Sequence, residues 1–303
     1  MDFESLTLAH RPVVDKYSYL YGEGSCQHSF ASMFCFNGKY NHSVCETKGW
    51  LFVCREKLGD RNHRTYLMPM GGGDPAEAIG LLWEDARSRS VRLRFETVTE
   101  SGRKTLETYC PGIFEAEERR DYMEYIYKSE KLANLPGGEM ASKRYDVHTF
   151  WSNYSGRVSI REMTAKDAEE VCEYQAKWLK TCKHSGDEVQ LELENEAILL
   201  GLENFEALGL SGILLYIDGV LRGYAYGSAI SNDCYDFMIE KGDREVEDIY
   251  RILNMETVRR CCSPFSYVNR EEDLGVPGLR KAKLSYKPDI LLKKYVMKEA
   301  GGE

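Results

Sequence analysis

The chain lacks any apolar run near the ~18 residues needed to cross a bilayer. Its opening stretch, MDFESLTLAHRPVVDKY, also lacks the basic-then-apolar order of a secretion signal. A cytoplasmic protein is therefore expected, one that would meet a lipid substrate only from the aqueous side. Basic charge is short as well. With 40 Lys and Arg against 49 Asp and Glu, the formal net charge is -9. Such a surface repels phosphate polymers at long range, which disfavours a broad nucleic-acid face but leaves room for a local basic pocket. The ten cysteines include no C-x-x-C pair, and no histidine stands at zinc-finger spacing, so no metal site is expected. Without an export signal they read as reduced, mostly buried thiols behaving as small hydrophobes.

What is present is an alternation of helix and strand signals from end to end, the mark of a mixed α/β fold. In the second half, Arg157–Met163 reads as a strand. Thr164 and Asp167 then give a helix-start signature, and the helix runs to about Cys182. Asp187 opens another helix, stopped at Gly209. Strands at Ile213–Ile217 and Leu221–Ala229 flank Asp218-Gly219, a strong hairpin signal. Cys234–Glu240 is a third strand and Glu245–Cys262 a helix with acids in its first turn. A strand at Phe265–Asn269, a helix at Gly278–Leu284 and a strand at Ile290–Met297 close the order. This is the order of the N-acetyltransferase-type (GNAT) fold. The first half repeats it in clipped form: a helix near Gln27–Phe36, strands at His42–Glu46, Trp50–Arg55 and Arg64–Met70, then a helix capped by Asp74 with Pro75 at its first position. Val91–Thr97, Thr99–Tyr109 and Tyr122–Lys128 read as strand, helix and strand. LANLPGG breaks the pattern before a helix at about Glu139–Trp151. The expected architecture is thus two tandem GNAT-like domains, residues 1–135 and 136–303, each a mixed, mostly antiparallel sheet flanked by helices.

The segment richest in chemistry is YVNREEDLGVPGLRKAKLSYKP, Tyr267–Pro288. Asn269, Arg270, Glu271, Glu272 and Asp273 follow a strand; Arg280, Lys281, Lys283 and Tyr286 follow a glycine-proline loop. Carboxylates able to accept a proton stand close to cations able to hold phosphate or an oxyanion. On composition alone the run also reads as a solvated surface loop closed by its own ion pairs. Glu240, ending its strand near the place where this fold transfers acyl groups, is a further candidate base or a solvated strand end. Gly71, Gly72 and Gly73 precede a helix, where glycines let a pyrophosphate approach backbone amides. Asp74 already caps that helix, however, so a plain turn is the competing reading. Lys241-Gly242-Asp243-Arg244 is a poor cradle. Trp178 and His184 read as packing and a loop histidine. Tyr224, Tyr226 and Tyr235 read as sheet packing or a pocket wall.

Tyr267–Pro288, together with YIYKSEKLANLPG (Tyr125–Gly137), LYIDGVLRGYAYG (Leu215–Gly227) and HSFASMFCFN (His28–Asn37), resembles the bacterial family that shares the C-terminal domain of phosphatidylglycerol lysyltransferase. The resemblance implies two GNAT-like halves and transfer of an acyl or aminoacyl group to an amine or hydroxyl. Acyl-CoA or aminoacyl-tRNA would be the donor, although the acidic charge disfavours tRNA. A small molecule, a peptide or a lipid headgroup would be the acceptor. In the family's peptide-bridge relatives a late lysine is implicated in holding a substrate phosphate, and Lys283 matches it. Glu271, Asp273 or Glu240 would then be the base, Lys283 and Arg280 the oxyanion or phosphate partners, and Asn269, Arg270 and Tyr286 the substrate-orienting groups. After LANLPG the family carries a basic, asparagine-bearing run. Here it is GEMASKRYDVH, in which only Lys143 and Arg144 keep the basic pair as substrate-binding candidates. The altered run and the weak glycine loops leave an alternative: a non-catalytic small-molecule-binding protein that keeps the fold.

Overall fold

In the computed structural model, the described residues are 1–57, 60–182 and 188–301, with the side chains of 57, 60–63, 182 and 188 left out. His184 and Asp187 lie outside the described residues. Two mixed, mostly antiparallel sheets carry the chain. The first runs, edge to edge, Glu4–Ser5, His42–Thr47, Trp50–Lys57, Asp60–Tyr66, Arg94–Val98, Tyr295–Glu299, Phe114–Glu118; Met70–Gly71 pairs beside it with Trp50–Lys57. The second runs Ile290–Leu292, Glu124–Lys128, Tyr267–Asn269, Cys234–Gly242, Val220–Ala229, Ser211–Ile217, Val158–Glu162. This is the expected tandem GNAT-like architecture.

Local signals did their work where they were strong. Asp218 (φ 53°) and Gly219 (φ 76°) both sit in the left-handed region, the geometry of the two-residue hairpin turn that follows the strands' own twist. Asp74 accepts the Ala76 amide at 2.9 Å and caps Pro75–Ser88. Thr164 and Asp167 close a capping box before Ala168–Cys182. Several boundaries differ from expectation, among them the strand expected at Arg64–Met70, which is Asp60–Tyr66, and two more bear on the site. The helix expected from Glu245 starts at Ile249, after Asp248 in a left-handed turn, so its first turn holds no acid. The single strand expected at Ile290–Met297 is two strands, Ile290–Leu292 and Tyr295–Glu299, and they belong to different sheets.

That last difference matters most. Glu124–Lys128 hydrogen-bonds to Tyr267–Asn269 and Ile290–Leu292 in the second sheet, while Tyr295–Glu299 lies between Arg94–Val98 and Phe114–Glu118 in the first. Each sheet therefore contains a strand from the other part of the chain, and a cut at residue 135 crosses both exchanges. The apolar packing agrees. One buried cluster joins Val14, Tyr17, Phe30 and Met33 to Leu202, Leu214, Tyr224 and Met238. Burial of this kind contributes roughly 25 cal/mol per Å² of apolar surface, so the halves hold each other by the same force that builds each core. Among the described residues, no helix is long and apolar enough to cross a membrane.

Candidate functional site

The polar end of the seam between the sheets is built from Ser25–Ser32, the start of Glu124–Lys128, the strand ends at Asp236 and Asn269, and the loop that follows Asn269. Asn269 is fully buried. Its amide nitrogen donates to the Gly24 carbonyl at 2.9 Å and to Glu124 Oε2 at 2.5 Å, and its oxygen accepts the Glu271 amide at 2.8 Å. With the Tyr125 amide held by the Glu271 carbonyl at 3.2 Å, this turns Glu271 into a left-handed conformation, φ 55°. Asn269 was expected to orient substrate; every polar atom of its side chain instead fixes the loop.

Behind it lies a fully buried ion pair. Lys294 Nζ sits 2.6 Å from Glu124 Oε1 and donates to Ser25 Oγ at 2.5 Å, and the Cys26 amide donates to Glu124 Oε2 at 3.0 Å. Burial raises the Glu124 carboxyl, but the Lys294 charge and these donors more than reverse it, leaving it below its usual range.

Three further carboxyls surround the loop. The Glu271 side chain is half-buried and has no hydrogen-bond or ion-pair partner among the described residues. Burial pushes it well above the ordinary carboxyl value; negative charge at Asp236 or Glu272 would push it the same way, and Lys283 pulls against both. Glu272 receives only long contacts, from the Cys26 thiol at 3.6 Å and the Gln27 amide at 3.5 Å, and burial raises it too. Asp236 is fully buried beside Ser32. Among the described residues, no group of three or more His, Cys, Asp or Glu side chains is placed to hold a metal ion.

Asp273, expected as a base, is instead taken up by partners on every side. Its carboxylate accepts from Arg280 at 2.7 and 2.8 Å, Arg120 at 3.1 Å, the Tyr125 hydroxyl at 2.5 Å and the Gly275 amide at 2.9 Å. Although burial alone would raise it, this ring of donors holds it ionised, well below its usual range. Arg280 spends its donors there and on Asp121 at 2.6 Å, so its expected part in holding an oxyanion is taken by structure. Lys283 is buried, and its ammonium donates to the Arg270 and Glu272 carbonyls, each at 2.5 Å. It clamps the loop rather than presenting a free cation. Glu240 pairs with Arg270 at 2.9 Å, and its second oxygen is buried without a partner. Burial raises its carboxyl.

The Arg270 guanidinium and Lys143 Nζ lie 5.3 and 4.0 Å from the centre of the buried Tyr286 ring, and Lys143 also donates to Ser285 Oγ at 2.7 Å. Arg144 donates to the Leu135 and Gly137 carbonyls, at 2.5 and 2.7 Å, tying down the linker.

The glycine loops are filled by side chains. A Cβ on Gly71 would lie 2.6 Å from the Trp50 ring and 2.7 Å from the Gly49 carbonyl; one on Gly72 would lie 2.8 Å from the Tyr21 hydroxyl, and one on Gly73 2.8 Å from Trp50 Nε1. Packing against Trp50 and Tyr21 therefore accounts for these glycines without a pyrophosphate. Gly71→Ala should cost about 1–3 kcal/mol from overpacking against backbone, seen as a lowered unfolding midpoint in urea. In the second half the Gly242 carbonyl accepts from the Trp178 indole at 3.0 Å and the Tyr250 hydroxyl at 3.2 Å, and Asp243 pairs with Arg222 at 2.8 Å. Two open cavities of about 560 and 570 Å³ lie elsewhere. Glu23, Lys104, Tyr109 and Leu292 line one; Glu4, His10, Cys45 and Glu84 line the other.

The sequence pointed to Glu271, Glu240 and Lys283, which the structure brings to this end of the seam, but not to Glu124, Lys294, Asp236 and the Ser25–Gln27 turn beside them. Each is a lone polar residue, joined to the others only by the strand exchange and by long-range packing.

The family model described as phosphatidylglycerol lysyltransferase, C-terminal, matches residues 19–298. A conserved protein of unknown function from Bacteroides thetaiotaomicron VPI-5482 is 30% identical, with a TM-score of 0.94 over 99% of both chains. The structure of L-PGS from Bacillus licheniformis superposes with a TM-score of 0.65 at 11% identity, over 96% of this chain and 92% of that one. An uncharacterized protein of Mycoplasmoides gallisepticum is 25% identical over 174 residues, 57% of this chain. The match spans 55% of that relative's length.

Proposed function

From a chain that belongs to the phosphatidylglycerol lysyltransferase, C-terminal, family, with a partner-free acid on a clamped loop between two GNAT-like sheets, we propose a transferase that passes an acyl or aminoacyl group to an amine or hydroxyl. The observation that carries this reading is Glu271: half-buried, without a partner, and held above the ordinary carboxyl range, chiefly by burial. A carboxylate tuned upward toward neutrality is the stronger general base. In the step it supports, the acceptor N–H or O–H proton passes to Glu271 as the acceptor attacks the donor carbonyl. A new C–N or C–O bond forms. The ester or thioester bond of the donor then breaks, and its leaving group takes the proton back from Glu271. Lys283 and Asn269 hold the loop that aims this carboxylate.

The donor is an aminoacyl ester or an acyl thioester; the acceptor is a small molecule, a peptide amine or a lipid headgroup. The test is a transfer assay with labelled aminoacyl esters and acyl-CoAs against these acceptors. Wild type should transfer label, and Glu271→Gln should lose about 100-fold or more of the rate while melting at or above the wild-type temperature. Full activity in the variant overturns the role. The packed glycine loops favour a second reading, a binding protein that keeps the fold; saturable binding of a donor without turnover would establish it.

A further inference from the structure

Asp236 belongs to no motif in the sequence, yet it sits behind the proposed base. It lies on Cys234–Gly242 in register with Asn269 on the neighbouring parallel strand, so both side chains point to the face that meets Ser25–Cys35. It is fully buried. Ser32 Oγ donates to its Oδ2 at 2.9 Å, while Oδ1 is buried with no partner. The charged and titratable groups facing this carboxyl and its neighbour Glu271 include Glu124, Glu272, Lys283, Cys26, Cys35 and Cys234. Lys294 already neutralises Glu124. Asp236 and Glu271 thus share the Lys283 ammonium, itself committed to two carbonyls, while Glu272 also feels Lys294 and the buried Arg55. Like charges enclosed at low dielectric do not all ionise.

Which acid keeps its proton follows from access. Glu271 is only partly buried, and its carboxyl oxygens are not sealed from solvent as Asp236 Oδ1 is. Asp236 is sealed, and its free oxygen has neither donor nor solvent to stabilise a negative charge. We propose that Asp236 is a positioning residue that stays protonated through the neutral range and, by staying uncharged, lets Glu271 ionise ahead of it. The inference rests on the reading of Glu271 as the base.

The test is a carboxyl-selective carbon-13 NMR titration of the intact protein, with Asp236→Asn as the isosteric mimic of the neutral acid. In wild type, the Asp236 signal stays at its protonated position while Glu271 titrates. In Asp236→Asn, the Glu271 midpoint stays within about twofold in proton concentration of wild type. A carboxylate signal from Asp236 at neutral pH overturns the proposal, as does a Glu271 midpoint shifted tenfold or more in the variant. Unfolding gives a second reading. A raised carboxyl binds its proton more tightly in the folded state. Its stabilising effect is present at acidic pH and is lost as pH rises through the raised value, by up to about tenfold in the folding constant per pH unit. Asp236→Asn removes that slope, so the variant gains on wild type as pH increases. A constant offset, the mark of a merely structural role, overturns the proposal. Transfer that survives Glu271→Gln, with these titrations unchanged, would instead locate the failure in the assignment of the base.

Discussion

Lys294→Met should destabilise the protein by about 3–5 kcal/mol, because it strands the Glu124 carboxylate in a fully buried site. Pairing is what makes the site tolerable: two charges removed from water are offset by their contact at 2.6 Å and by donors from Asn269, Cys26 and Ser25. Removing the cation leaves those donors too weak to hold the charge, so the Glu124 carboxyl protonates on folding. The double variant Glu124→Gln/Lys294→Met should recover much of the loss, since an uncharged pair of similar volume carries no such desolvation cost. A double-mutant cycle by urea unfolding measures this. Independent effects, summing without recovery, would show that the pair does not act as one unit. The wild-type contribution is present at neutral pH and is lost on acidification, as pH falls through the lowered Glu124 value.

The second large effect is expected at Met297. The residue lies on the strand Tyr295–Glu299 yet is buried in the first core with Phe95, Leu82 and Phe52. Met297→Asp should cost more than about 4 kcal/mol, since it places an unpaired carboxyl among apolar side chains. Hydrogen exchange is the informative readout. Protection should fall at Arg94–Val98 and Phe114–Glu118, far away in sequence, because these strands pair with Tyr295–Glu299 on either side. Loss confined to residues near 297 would contradict the exchange. The shared cluster of Tyr17, Phe30, Leu214 and Tyr226 further predicts one cooperative transition for both sheets.

Much of this architecture was legible because several signals are local. Asp218-Gly219, Asp74-Pro75 and Thr164–Asp167 each fix their own turn or cap, whatever the rest of the chain does. Phe114–Glu118 was not legible: four of its five residues are Glu or Ala facing solvent, and it survives as an edge strand only through Tyr295–Glu299. The split after Leu292 was hidden for a similar reason. Two strands on either side of Lys293-Lys294 give one continuous apolar alternation, and nothing local says that they part.

Within the site, the charge run Asn269–Asp273 could be read from composition, but the roles inside it could not. Asp273 and Glu271 are chemically alike in sequence. Arg280 and Arg120 approach only one of them, and the other is left free. Burial and partner geometry, not residue type, separate an ion-pair anchor from a candidate base.

The exchanged strand also has a consequence for synthesis. Arg94–Val98 and Phe114–Glu118 leave the ribosome long before Tyr295–Glu299, the strand that must lie between them. Until it arrives, each presents an unpaired backbone edge, the kind of surface that recruits other chains. The nascent first sheet thus stays open to such pairing until the last strand is made. The acidic side chains of Phe114–Glu118 are well placed to keep that waiting edge apart from its copies on neighbouring ribosomes.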